Sequence, residues 1–167
     1  MSTRGLLTTA VAVVVLVLGA LGLAGNRASA VRDGGIRVVR VVDGDTIVAR
    51  LASGEERIRL IGIDTPESVD PRRPVECYGK EAARRLGDLL PAGTAIRLER
   101  DVEARDRFGR LLAYVHRRDD GLFVNLAQAE DGYAQLLTIP PNVAYADRFA
   151  AAVASARAAG RGLWSAC

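Results

Sequence analysis

The 167-residue chain holds 23 lysines and arginines, 20 acids, one histidine and two cysteines, for a formal net charge of +3. Arg4 and Arg27 sit in a first segment of 30 residues that has no acid, so residues 31–167 carry 21 basic and 20 acidic side chains. That balance excludes a generic polyanion binder and leaves any nucleic-acid contact to locally placed arginines. The lone His116 has no motif linking it to Cys77 or Cys167, which argues against a catalytic thiol.

Residues 1–30 have the layout of a secretory signal peptide. Arg4 gives a basic start, Leu6 to Gly25 form an apolar run, and Ala28-Ser29-Ala30 precede the expected cleavage. The 20-residue run is also long enough for a retained membrane anchor. Either way the remainder, 31–167, is expected outside the cytoplasm, secreted or tethered. Its 137 residues suit one domain.

Within that domain, 36–51 is β-branched and broken by Asp-Gly-Asp, which predicts two strands around a tight turn. A second turn follows at 51–56. Residues 57–63 alternate as a third strand, with Ile58 and Leu60 inward and Arg59 facing out of the barrel. Three prolines make 65–76 an exposed, irregular loop. Helical spacing marks 78–90. Ala95 to Asp101 is a strand, and 107–117 is a strand pair opened by a glycine turn. A short helix ends at Gly132, with an extended piece after it. Residues 142–162 predict a helix capped by Asn142 and stopped by Gly160 and Gly162. The order predicts an α+β domain on a small antiparallel barrel of five strands, of the OB type, with about three helices. Two cysteines in an exported chain favour a Cys77–Cys167 disulfide.

Four acids fall at the ends of adjacent strands: Asp43 and Asp45 on the first turn, Asp64 and Glu67 at the end of the third strand. Turn chemistry accounts for them one at a time. Brought together they would repel unless a hard cation such as Ca2+ holds them. Arg59 lies five residues before Asp64, and Arg107 and Arg110 open another strand. A cation, carboxylates and forked guanidiniums suit a phosphodiester. For Arg57, Arg72 and Arg73 the expectation is solvated salt bridges. His116 is expected at the surface and Asn125 as a structural hydrogen bonder.

Five ordered segments, VVDGDT at 41–46, IRLIGIDTPE at 58–67, YGKEA at 78–82, DRFGRLLAYV at 106–115 and GLW at 162–164, resemble the thermonuclease family, the staphylococcal nuclease-like enzymes. The likeness implies an OB-fold and a Ca2+-dependent phosphodiesterase acting on DNA and RNA, which breaks the 5′ P–O bond to leave 3′-phosphates. By motif position it implies Asp45 and Asp64 as calcium carboxylates, the Thr65 carbonyl as a further ligand, and Asp43 as an acidic neighbour of the metal. It implies Glu67 as general base and Arg59 and Arg110 as phosphate-binding arginines. Phe108 replaces a tyrosine that contacts the substrate phosphate, and Arg107 replaces the lysine before it. Residues 136–142 lack the two tyrosines that the family uses against a base and a distal phosphate. Base stacking is worth about 1–3 kcal/mol per base, so Tyr78 and Tyr145 are candidates to compensate. Two further readings use the same residues: a catalytically inactive OB-type module that binds nucleic acid or protein, and a tethered surface protein that binds Ca2+ without turnover. No partner protein is implied, and a monomer is expected.

Overall fold

The computed structural model describes residues 35–69, 71 and 74–167. The expected signal segment and the loop residues Asp70, Arg72 and Arg73 lie outside them. No helix among the described residues is long and apolar enough to cross a membrane.

Three consecutive strands, β1 (Arg37–Asp43), β2 (Thr46–Leu51) and β3 (Gly54–Leu60), form the expected meander. Asp43 and Thr46 pair across the first turn, and Leu51 pairs with Gly54 across the second. The third strand starts earlier than its alternation suggests. It also stops at Leu60, and Gly62–Asp64 forms a separate short strand, β4. Helix α1 (Gly79–Leu89) buries Ala82, Leu86 and Leu89, the face its periodicity predicts. Strands β5 (Ile96–Glu99) and β6 (Leu111–Arg117) follow. Residues 107–110 form no strand of their own, so the expected pair is one strand, with an isolated bridge between Arg105 and Leu111. Helix α2 (Val124–Glu130) and strand β7 (Gln135–Leu137) complete the middle of the chain.

The last helical segment is shorter than its composition suggests. Helix α3 covers Ala146–Ala158, and a separate α4 covers Leu163–Ala166, which makes four helices among the described residues where about three were expected. Asn142 does not cap α3. Its side chain instead accepts from the Glu103 N–H at 2.7 Å and donates to the Glu103 carbonyl at 3.1 Å. Tyr145 stands at the helix start without a capping side-chain bond.

The five-stranded sheet runs β1-β2-β3-β6-β5, and β4 pairs with β7 in a second, two-stranded sheet. The expectation of an antiparallel barrel needs two corrections. Strand β3 pairs with β6 in parallel, because the intervening chain crosses over through α1. The ladder also does not close: β1 and β5 are edges that touch at one end, where the Ile96 N–H donates to the Ile36 carbonyl and the Val38 N–H to the Thr94 carbonyl. The result is a mixed α+β, OB-like architecture.

The core fills the space between this sheet and helices α1, α2 and α3, with Ile47, Ile58, Leu60, Leu86, Val124 and Phe149 fully buried. Tyr114, Phe123, Tyr145 and Phe149 form an aromatic cluster with edge-on and stacked contacts, the shortest being 4.7 Å between Tyr114 and Tyr145. Such pairs add about 0.5–1.5 kcal/mol each beyond area burial. His116, expected at the surface, stacks on Phe123 at 4.5 Å. Burial displaces its pKa below the usual histidine value, with the Arg97 charge acting the same way and Glu99 opposing. Asn125 is the structural bonder expected: it accepts from the Val115 N–H and donates to the carbonyls of Ile61 and Ala113. Cys77 and Cys167 are joined as a disulfide.

Candidate active site

The register explains how distant motifs meet. Thr46 pairs with Arg59 across β2 and β3, so the Asp43–Asp45 turn lies beside the end of β3. The parallel β3–β6 pairing sets Arg59 against Leu112, which brings Arg110 to the same end of the sheet. Strand β7 pairs Gln135 with Asp64 and fixes β4. These ends surround a cleft of about 800 Å³. Asp43, Asp45, Arg59, Asp64, Thr65, Glu67, Arg107, Phe108 and Arg110 all line it, so the acids and arginines expected from sequence, with Thr65 and Phe108, come together there. Its apolar wall is Ile61, Leu112, Leu137 and Ile139.

Arg59 corrects the expectation of an outward side chain. It does point away from Ile58 and Leu60, but it is only 8% exposed, because β4 and the first turn cover it. Nη1 donates to the carbonyls of Leu60 (2.5 Å) and Ile63 (2.9 Å). Nη2 lies 2.8 Å from Asp64 Oδ1 and 3.0 Å from Asp45 Oδ2. One guanidinium therefore joins the two expected metal aspartates.

Asp45 is itself buried and fully engaged. Its Oδ2 accepts from the N–H and the hydroxyl of Thr65, at 3.0 and 3.1 Å. Its Oδ1 accepts from the Thr46 hydroxyl at 3.1 Å. Asp43 Oδ1 accepts from the Asp45 N–H. Burial first, and then the Asp45 charge, push the Asp43 carboxyl up to about 6. The turn is packed tightly: a Cβ on Gly44 would lie 2.6 Å from Thr65 Oγ1 and 2.8 Å from Ala82 Cβ.

Across the cleft, Arg110 is oriented by Asp106, with Nε donating to Oδ2 at 2.7 Å and the Arg110 N–H to Oδ1 at 2.9 Å. Its Nη1 reaches Thr46 Oγ1 at 3.5 Å, which links it through Thr46 to Asp45. Phe108 is 69% exposed and lies under both neighbouring arginines, 4.8 Å from Arg107 and 5.6 Å from Arg110. Glu67 is half-buried, and its Oε1 accepts from the N–H groups of Ser68 and Val69, both at 2.7 Å.

Neither tyrosine proposed to replace the missing aromatics reaches the cleft. Tyr145 packs in the core and donates to Glu99, and Tyr78 stacks on Tyr133 at 5.3 Å. Two positioning residues were not read from sequence. Asp106 was visible as an acid four residues before Arg110. Gln128 is fully buried on α2 and donates to the carbonyls of Gly44 (2.8 Å) and Ala82 (3.2 Å), tying the acidic turn to α1. Its signal was a second polar residue, three positions after Asn125, in a helix whose other buried residues are apolar.

The oxygen donors here, Asp43, Asp45, Asp64 and the Thr65 carbonyl, have the chemistry of a hard-cation site. No three metal-binding side chains converge to hold an ion among the described residues. The donor types are those a hard cation takes, and a bound cation would have to share Asp45 and Asp64 with Arg59.

A family model described as staphylococcal nuclease homologue matches residues 57–166. Among curated relatives, a thermonuclease of Staphylococcus intermedius is 40% identical over 146 residues, covering 86% of this chain and 85% of its own. A thermonuclease of Staphylococcus hyicus is 35% identical over 167 residues, covering 98% and 97%. Endonuclease YncB of Bacillus subtilis (strain 168) is 34% identical over 128 residues, covering 75% of this chain and 59% of its own.

Proposed function

The chain belongs to the staphylococcal nuclease family, and on that premise we propose that it is an exported, calcium-dependent nuclease hydrolysing phosphodiester bonds of DNA and RNA. The observation that carries this reading is the meeting of Asp45, Arg59, Asp64, Thr65, Glu67 and Arg110 in one cleft. The thermonuclease and endonuclease names of its relatives support nuclease activity.

Asp45, Asp64 and the Thr65 carbonyl would hold Ca2+, with Asp43 beside them. When bound, the ion supplies positive charge to the phosphate oxygens. Glu67 takes a proton from the attacking water as general base. Arg59 and Arg110 meet the charge that builds on the equatorial oxygens, where their fixed orientation favours the transition state over the ground state. Among the described residues Arg110 donates through Nε and Nη1 and makes no hydrogen bond through Nη2, which leaves that group a donor for the charge. Breaking the 5′ P–O bond leaves 3′-phosphates. Arg107 and Phe108, on the exposed lip, contact substrate on the way in.

The test is cleavage of single-stranded DNA by the purified protein in Ca2+ and in excess EGTA, with Glu67→Gln beside it. Cleavage is expected only with Ca2+, falling about 10² to 10⁴-fold in Glu67→Gln. A protein that binds Ca2+ and cleaves nothing would sink the enzyme reading in favour of an inactive binding module.

A further inference from the structure

Glu76, three residues before α1, holds Glu67 by its backbone. Glu76 Oε2 accepts from the Glu67 N–H at 3.0 Å, and the Glu76 N–H donates to the Glu67 carbonyl at 2.8 Å. The first residue of α1 presses on the same point: a Cβ on Gly79 would lie 2.6 Å from the Glu67 carbonyl oxygen and 3.0 Å from that of Pro66. Next to Glu76, Cys77 is bonded to Cys167, and Tyr78 takes left-handed backbone (φ 69°) with its ring stacked on Tyr133. The strap carrying Glu76 is thus anchored to the C-terminus and to the turn after α2.

We propose that Glu76 is the positioning residue for Glu67, fixing its backbone so that the carboxylate meets the cleft in one orientation. The proposal rests on the nuclease reading above. The contacts that favour it are reciprocal, one through a side chain and one through the main chain, so they fix the direction of the Glu67 peptide as well as its place.

The experiment uses Glu76→Ala and Glu76→Gln in the full-length protein, alone and combined with Glu67→Gln. In Glu76→Ala, kcat falls about tenfold while KM and Ca2+ affinity stay within about twofold, the pattern of a misplaced base. Glu76→Gln keeps an acceptor oxygen and restores kcat to within about twofold. Combined with Glu67→Gln, Glu76→Ala lowers the rate no further, because the group it positions is gone. Amide exchange at Glu67, followed by NMR without substrate, speeds up about tenfold in Glu76→Ala. Unchanged exchange at Glu67, or an equal loss of rate in the Glu67→Gln background, overturns the positioning role even in an active nuclease. A wild-type protein that does not cleave at all overturns the nuclease reading and the proposal with it.

Discussion

The guanidinium of Arg59 binds protein on one side and faces the cleft on the other. Two carbonyls and two aspartates hold its Nη atoms, so its plane is set before any phosphate arrives. Lysine cannot reproduce that fork. In Arg59→Lys, kcat is expected to fall on the order of 10² to 10³-fold. Stability falls as well, by about 1–3 kcal/mol, because buried carbonyls lose a donor. Steady-state kinetics and urea unfolding of the same variant measure the two effects separately. Asp106 acts on Arg110 in a simpler way. Asp106→Asn weakens a charge-assisted bond on a partly buried pair, and kcat is expected to drop about tenfold with the fold intact, as the arginine leaves its aimed position.

At the scale of elements, the junction between β5 and α3 offers a titration. Asp101 accepts from the Ala144 N–H, the Tyr114 hydroxyl and the Val102 N–H. Partial burial pushes its carboxyl up, but these bonds outweigh burial, and the net displacement is below the ordinary value of 3.8. A carboxyl held below its unfolded pKa stabilises the fold fully above that value and loses its contribution as pH falls through the folded one. Wild-type stability is therefore expected to decline more steeply than that of Asp101→Asn as pH falls below about 4, measured by urea unfolding at successive acidic pH values. Little of this junction is legible in the sequence. Asn142 reads as a cap because it precedes a helical pattern, but its partner is Glu103, 39 residues earlier. The first three strands were legible because Asp-Gly-Asp-Thr and the β-branched runs are local signals. The parallel β3–β6 pairing has no local signal. Alternation set Arg59 on the face opposite Ile58, but alternation says nothing of what covers that face. The motif positions located the cleft residues; that they meet in one cleft depends on pairings between strands far apart in sequence.

At the scale of the whole molecule, the Cys77–Cys167 bridge joins residues 90 apart and spans most of the described domain. Closing a loop of that length removes roughly 4 kcal/mol of unfolded-state entropy in the chain-entropy model. For a domain of this size that is a large share of the whole stability. The bridge also ties the last residues to the strap beside Glu67, so stability and activity respond to it together. The Cys77→Ser/Cys167→Ser double variant is expected to unfold with a stability lower by about 2–4 kcal/mol. While still folded, it is expected to lose kcat in the same manner as Glu76→Ala, with KM unchanged. Urea unfolding and kinetics well below the unfolding temperature separate the two. A loss of stability without a loss of kcat would mean that hydrogen bonds and the Tyr78–Tyr133 stack hold the strap without the bridge. A loss of kcat in the folded variant would tie turnover to an oxidised pair, and hence to an oxidising compartment.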